Sequence, residues 1–179
     1  DVYDYSTIDM LKMDLDKHVH FINPKVGILY DFCDYHRVYA SLAMAGREPT
    51  RKDFTNAPIG MQPKAEHLLD LEFGYQVEHK YIKLGLNFYY MWYKDQLILT
   101  GEQNPDTYEA LYMNVPESYR RGIELTVSSA PLSWFTISAN ATLSQNKIVD
   151  YTEYVYNDDT YTTDAFYIGE STIAYSPSV

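Results

Sequence analysis

The sequence predicts an all-β chain that is a segment of a transmembrane β-barrel, with about six to seven antiparallel strands. Three observations predict this fold. Apolar and polar residues alternate over long stretches, as they do where a strand exposes one face to an apolar medium. The connections are alternately tight and long, which is typical of outer-membrane barrels. Tyrosine, which suits a half-buried pleated surface, occurs 19 times among 179 residues.

The first predicted hairpin has its tight, polar turn at 34–36. Its apolar face is formed by Val26, Ile28, Tyr30 and Phe32 before the turn, and by Val38, Ala40, Leu42 and Met44 after it. The intervening residues of both strands, such as Asp31 and Ser41, are mostly polar or small. A period of two residues therefore predicts two paired strands with one apolar face.

Two more hairpins follow the same pattern. The second turns at 79–80, and the third at 130–132. The apolar face of the second is formed by Leu69, Leu71, Phe73, Tyr75, Val77, Ile82, Leu84, Leu86, Phe88, Tyr90 and Trp92. That of the third is formed by Ile123, Leu125, Val127, Ile137, Ala139, Ala141 and Leu143. A seventh strand is predicted to start near Ser171.

Long connections are predicted at roughly 46–64, 100–116 and 149–170. The strands between them run for about 9 to 13 residues, enough to cross a membrane at a tilt. Short turns at one end and long loops at the other predict short periplasmic turns and long extracellular loops.

The apolar face ends in aromatic residues, which barrels place at the two membrane interfaces. These residues are Tyr90, Trp92, Tyr119 and Phe135. The opposite face has small and polar residues that suit a crowded or water-filled lumen, namely Gly74, Gly85, Asn87, Gly122, Thr126 and Asn140. Two alternatives remain: a soluble or surface-attached β-sheet protein for binding or adhesion, whose apolar faces pack on a second sheet, and a passive porin.

Composition excludes several functions. A net charge of −11 argues against a nucleic-acid partner, because phosphate binding needs clustered cations. The single cysteine, Cys33, forms no internal disulfide. No nucleophile elbow, phosphate loop or HExxH motif is present, so no enzyme is predicted. His18 and His20 with Asp14 and Asp16 do not form a convincing zinc site, and neither a metal nor a cofactor is predicted.

Four segments resemble TonB-dependent outer-membrane receptors of the Bacteroides type, from the C-terminal part of the barrel. They are GREPTRKDF at 46–54, NFYYMWYKDQL at 87–97 with LTGE at 99–102, NVPESYRRGIEL at 114–125, and NATLSQNKI at 140–148. The third resembles the family's recurrent N-x-x-x-S-x-R-x-G-x-E start of a strand. The segments occur in the family's order and together span most of the chain.

This resemblance implies a 22-stranded barrel closed by a plug domain. The whole chain, 1–179, would be a partial barrel domain without the plug, excerpted from a longer protein. The implied function is import of a scarce nutrient through the outer membrane of a Gram-negative bacterium. An iron–siderophore or similar chelate, or a glycan, would be the ligand, and the TonB complex would supply energy through the plug. The lipid bilayer would surround the barrel, and a surface lipoprotein partner is left open.

Candidate ligand contacts lie in the predicted extracellular loops. Arg47, Arg51 and Lys52 offer cations, and arginine presents a planar fork for carboxylates or phosphates. Tyrosine offers an apolar ring with a polar tip, which suits a chelate or a sugar. The tyrosine candidates are Tyr108 in the second long connection and Tyr154, Tyr156 and Tyr161 in the third.

Overall fold

The computed structural model describes residues 19–55, 57, 62–103, 110–157, 162–174 and 176. Seven strands form one antiparallel sheet in which every strand pairs with the next along the chain. In chain order, the elements are β1 (Lys25–Cys33), β2 (His36–Arg47), α1 (Arg51–Thr55), β3 (Glu66–His79), β4 (Ile82–Gln103), β5 (Ala110–Leu132), β6 (Phe135–Asn157) and β7 (Thr162–Thr172). The predicted all-β antiparallel fold is confirmed. The described part of the chain has no helix with the length and hydropathy of a membrane span.

The sheet has a turn end and a loop end. At the turn end, tight turns join β1 to β2 at 34–35 and β3 to β4 at 80–81, close to where the sequence predicts them. The third turn, predicted at 130–132, lies instead at 133–134. There the pairing continues through a register shift to Leu132 and Phe135, so the proline at 131 lies within the strand.

The strands towards the loop end are much longer than predicted. β4 has 22 residues, and β5 and β6 have 23 each, against the predicted 9 to 13. The predicted loops at 100–116 and 149–170 are therefore wrong over most of their length, and β7 begins at Thr162 rather than near Ser171. Where a strand no longer has one apolar and one polar face, the alternation fades but backbone pairing continues. Among the elements that the structure describes, the long connection is the one between β2 and β3, and it contains α1.

The register joins the apolar residues of the hairpins into one continuous face, called here the outer face. One of its rows runs across five strands through Ala40, Phe73, Phe88, Ile123 and Leu143. Large side chains on it are exposed, with Leu143 at 58%. Nothing in the described part of the chain packs over this face. The opposite, inner face has polar rows.

The alternation between the faces breaks at Asp95 in β4. Asp95 has a φ of 53°, in the left-handed region that few residues other than glycine adopt. The next three residues, Gln96 to Ile98, are all buried. Strict alternation from Trp92, which lies on the outer face, would place Gln96 on that face too. The side chain of Gln96 instead accepts a hydrogen bond of 2.6 Å from the hydroxyl of Ser118, a residue of the inner face. This bend in the strand is called the elbow.

The small hydrophobic core of the chain lies beyond the elbow. Its buried members come from three strands and from the residue that follows β7: Ile98, Val115, Ile148 and Ile173. Met113 and Tyr151 pack against it. The core therefore stabilises the loop end of the sheet, whereas the outer face depends on something outside the described chain to cover it.

Candidate ligand-binding face

Polar side chains on the inner face are linked across strands. The hydroxyl of Tyr39 donates to Asn87 Oδ1 at 3.0 Å, and Asn87 Nδ2 donates to Glu124 Oε2 at 3.4 Å. The ring of Tyr39 lies over Gly74, where a Cβ would come within 2.1 Å of a ring carbon. The glycine therefore lets the tyrosine lie flat across β3 and reach Asn87 on β4.

The next row towards the loop end repeats this arrangement. Ser41 donates to Glu72 Oε2 at 3.4 Å, and the ring of Tyr89 lies over Gly122. A Cβ at Gly122 would meet both the tyrosine hydroxyl at 2.6 Å and a backbone carbonyl oxygen of β6 at 2.5 Å. The inner face thus has two tyrosine rings lying over glycines, with carboxylates beside them.

A groove of about 400 Å³ lies along these rows. It is lined by Glu72, Asn87, Tyr89, Met91, Arg120, Glu124, Thr142, Ser144, Asn146 and Ser176. Beside it, Asp70 Oδ1 and Arg120 Nε are buried and have no hydrogen-bond partner within the described ranges. Two lining carboxylates and the neighbouring Asp70, against the single guanidinium of Arg120, make the groove acidic. It can accept hydrogen bonds and attract cationic groups.

A second hollow, of about 350 Å³, lies at the elbow beneath residues 62–65, called here the strap. The Asn114 side chain holds the strap: its Oδ1 accepts from Lys64 N at 2.8 Å, and its Nδ2 donates to Lys64 O at 3.1 Å. The same Nδ2 donates to Asp95 O at 2.6 Å. Lys64 Nζ lies 3.6 Å from Asp95 Oδ1. One amide therefore joins the strap, the elbow and β5.

Asp150 also lines the second hollow. Its carboxylate accepts a hydrogen bond of 2.9 Å from the Tyr167 hydroxyl on β7. This bond, and the negative charge of Asp150, raise the pKa of Tyr167 above its ordinary value. Tyr167 therefore keeps its proton, and the link between β6 and β7, near neutral pH.

The three predicted cationic contacts have different surroundings. Arg47 forms a cross-strand ion pair with Glu66, which leaves its Nε engaged within the sheet. Arg51 and Lys52 lie in α1 with exposed side chains. Thr50 and Asp53 cap this helix reciprocally, since Asp53 Oδ2 accepts from Thr50 N at 2.7 Å and Thr50 Oγ1 accepts from Asp53 N at 3.3 Å.

The predicted tyrosine contacts are only partly placed. Tyr154 and Tyr156 belong to β6, where they pair with Ala165 and Thr163, rather than to a loop. Their side chains, and the residues Tyr108 and Tyr161, lie outside what the structure describes. A ligand role for all of them stays a prediction. Within the described ranges no three His, Cys, Asp or Glu side chains converge as metal ligands would.

The sequence predicts that the groove carboxylates lie on the inner face, but it does not predict the contact between the strap and Asn114. Alternation alone assigns Glu72 and Glu124 to the polar face. The Asn114–Lys64 contact joins residues 50 positions apart, and nothing in their local sequence links them. The sequence also gives no signal for the left-handed backbone at Asp95, since aspartate is common in ordinary turns and strand ends.

Comparison with protein-family models identifies the chain. The model described as "TonB dependent receptor-like, beta-barrel" matches residues 1–177. The chain belongs to the TonB-dependent receptor β-barrel family. A comparison with curated protein sequences finds no match.

Solved structures of similar fold include two proteins named as transporters and one named as a receptor. The copper transporter OprC has a TM-score of 0.58 at 20% identity, over 69% of this chain and 20% of that protein. The siderophore receptor PirA from Pseudomonas aeruginosa has 0.55 at 16%, over 86% and 33%. The FrpB iron transporter from Neisseria meningitidis has 0.53 at 20%, over 69% and 19%. The likeness is one of fold, and the chain spans about a fifth to a third of the length of these proteins.

Proposed function

We propose that this chain is part of the wall of an outer-membrane receptor that imports a scarce nutrient with energy supplied by TonB. The observation that carries the proposal is the continuous, exposed apolar outer face of a chain in this family. We further propose that the segment comes from the C-terminal part of a Bacteroides-type barrel, spans 1–179 as a partial barrel domain, and works with a plug domain elsewhere in the protein.

The dimensions of the outer face support a membrane location. In β4 the apolar positions run from Ile82 to Trp92. At about 3.3 Å per residue and a tilt of about 40°, this stretch covers roughly 25 Å, the height of the apolar band of outer-membrane barrels. Tyr90 and Tyr119 stack near its upper edge with ring centroids 6.1 Å apart, and Trp134 and Phe135 lie at the turn end.

This placement gives the sheet an orientation. The turn end would face the periplasm, and the loop end would extend well outside the membrane, because strands of 22 and 23 residues are about twice the length of a span. The elbow at Asp95 would lie just above the outer membrane surface. The second hollow and the strap would then lie at the mouth of the barrel, where an arriving ligand is met.

The ligand class that fits best is a metal chelate. The acidic groove attracts cationic groups, and the family relatives of similar fold are named for copper, iron and siderophores. A glycan remains the second candidate, supported by the tyrosines of the inner face, whose rings can stack on sugars. Arg51 and Lys52, on exposed positions of α1, would make the first contacts, with Tyr108, Tyr154, Tyr156 and Tyr161 around them.

The remaining partners follow from the same proposal. The bilayer would cover the outer face, the TonB complex would act through the plug, and a surface lipoprotein would sit on the loop end if the ligand is a glycan. The mechanism is binding and passage without chemistry on the ligand. A soluble adhesion protein is the alternative, but it would need a second sheet to cover an outer face that runs across six strands.

The first test uses the full-length parent protein. Cells are fractionated, and the outer-membrane fraction is run on a gel with and without boiling. Recovery in the outer membrane with a heat-modifiable band is expected, because closed barrels resist detergent until heated. A soluble protein without heat-modifiable mobility would overturn the proposal in favour of the adhesion protein.

A second test addresses the ligand. Glu72→Gln together with Glu124→Gln removes two charges from the groove without changing side-chain size. Accumulation of ferric siderophore, copper and oligosaccharide by cells is compared with that of cells carrying Ser128→Ala, which alters a polar inner-face residue near the turn end. Loss of one metal substrate in the double variant alone is expected. Unchanged accumulation of all three would exclude the groove from the path.

A further inference from the structure

One basic side chain lies on the outer face where an apolar side chain would be expected. Arg121 of β5 pairs with Tyr90 of β4 and Gln145 of β6, in the row next to Phe88, Ile123 and Leu143. Since that neighbouring row is apolar, Arg121 stands at the border of the band that faces lipid. A guanidinium at such a border is expected to have a binding partner, because an ionisable group that faces hydrocarbon raises the free energy of the folded protein.

The guanidinium of Arg121 is held in a defined position. Its Nε donates to Gln145 Oε1 at 2.8 Å, and its central carbon lies 5.3 Å from the centroid of the Tyr119 ring. Its two Nη groups have no acceptor among the residues that the structure describes. The Nε edge of the guanidinium is therefore fixed by the protein, whereas the Nη donors remain unused among the described residues.

A shallow hollow of about 610 Å³ opens on the outer face beside this guanidinium. Phe88, Ile123 and Leu143 provide its apolar wall, while Arg121 and Gln145 form its polar rim. The hollow thus combines an apolar surface that a hydrocarbon chain can cover with a fork of hydrogen-bond donors at one end. A free inorganic anion would contact only the polar rim and would leave the apolar wall uncovered.

A second cation lies one row closer to the loop end. Lys147 pairs with Tyr119 in the register, and its Nζ is 3.3 Å from Glu170 Oε1. The Tyr119 hydroxyl donates to the same carboxylate at 3.5 Å. Lys147 is therefore partly neutralised, whereas Arg121 is not. Rows two residues apart are separated by about 7 Å, so both cations lie within reach of one phosphorylated headgroup.

We propose that Arg121, with Gln145 and Lys147, forms a site on the outer face for a phosphate-bearing lipid of the outer leaflet. Its phosphate takes the free edge of the guanidinium, and one acyl chain covers the hollow walled by Ile123 and Leu143. The site rests on the proposed function, because that function makes the outer face the lipid-facing one and puts the loop end outside.

Charge and geometry favour this occupant. A planar guanidinium binds phosphate oxygens through two parallel hydrogen bonds, and the interaction is strong at the edge of an apolar band, where water is scarce. A zwitterionic lipid would present its phosphate beneath a competing ammonium group. A lipid that carries phosphate on a sugar, as lipid A does, presents the phosphate without that competition.

The test uses the purified full-length receptor in detergent, checked for a heat-modifiable band. Native mass spectrometry measures retention of lipid A with two phosphates, of the same lipid with both phosphates removed, and of added inorganic phosphate. The wild-type receptor is expected to retain the phosphorylated lipid at least tenfold more tightly than the dephosphorylated one. Arg121→Gln is expected to abolish the difference, and Lys147→Gln to reduce it less.

Two further variants act as controls. Lys83→Gln removes a cation on the inner face at the turn end, where Lys83 pairs with Glu78, and is expected to retain the lipid like the wild type. Leu143→Ser keeps the cations but weakens the apolar wall, and is expected to weaken retention of the whole lipid. If Arg121→Gln and Lys83→Gln behave alike, the site is refuted. Displacement of the lipid by millimolar inorganic phosphate would refute the lipid as its occupant.

Failure of this inference and failure of the proposed function give different results. A receptor that folds in the outer membrane but retains both lipids equally would overturn the lipid site and leave the importer intact. A parent protein that is soluble and shows no heat-modifiable band would overturn the importer, and the lipid site with it.

Discussion

Replacing Leu86 with arginine tests the assignment of the outer face directly. Leu86 lies on β4 between Tyr75 and Leu125, in the middle of the apolar rows. Counted from Ile82, it lies four residues into a stretch that ends at Trp92, which is about 10 Å along the membrane normal at a tilt of roughly 40°. It is therefore within a few ångströms of the middle of the proposed apolar band.

At that depth, arginine is expected to destabilise the folded barrel by about 2–4 kcal/mol. Since about 1.4 kcal/mol changes an equilibrium constant tenfold, the folded population relative to the unfolded one falls roughly 30- to 700-fold. Asn87→Arg is the matched control. It lies one residue further along and faces the lumen beside Glu124, which can pair with the new cation, so a change below about 1 kcal/mol is expected.

The assay is reversible unfolding of the full-length receptor in urea with phosphatidylcholine vesicles, followed by tryptophan fluorescence and by gel mobility without boiling. The reasoning predicts a large fall in unfolding free energy for Leu86→Arg and a small one for Asn87→Arg. Equal losses in the two variants, or a larger loss at Asn87, would refute the assignment of the outer face to lipid.

Three smaller changes test local structure. Asn114→Leu removes all three hydrogen bonds to the strap and the elbow, so hydrogen exchange at the Lys64 amide should become at least tenfold faster; unchanged exchange would show that the amide does not hold the strap. Gly122→Ala places a Cβ 2.5 Å from a backbone oxygen of β6 and should cost about 1–3 kcal/mol in urea unfolding, whereas no loss would mean that β6 shifts freely. Thr50→Ala removes the cap of α1 and should cost that helix about 1 kcal/mol, seen as faster exchange at Asp53 N; equal exchange in both forms would contradict the capping.

Alternation was enough to predict the half of the sheet that lies towards the turn end. From Ile82 to Trp92 every second residue is apolar, and the structure puts these residues on one face, as predicted. The signal is strong there because one side of each strand needs apolar side chains and the other does not. The hairpin pairings follow from it, since the turns between them are too short for any other neighbour.

The loop end was harder to predict, for physical reasons. Beyond the elbow, the strands no longer have one apolar and one polar face, and residues such as Thr152 and Glu153 show no consistent period. Backbone pairing there depends on the neighbouring strands, and the sequence of any one segment does not predict it. The elbow itself depends on a left-handed aspartate held by contacts with distant residues, and its consequence, three consecutive buried residues, has no periodic signature.

Each strand pairs only with its neighbours along the chain, and this pattern affects how the barrel wall can assemble. Every internal ladder of backbone hydrogen bonds closes between segments that are adjacent in sequence, so loop-closure entropy stays small throughout. The wall can therefore grow one hairpin at a time, and an open sheet of this kind leaves two edges unpaired, one at each terminal strand, however many hairpins it has. In a bilayer, where an uncovered edge is heavily penalised, such stepwise addition keeps the number of uncovered edges at two until the barrel closes.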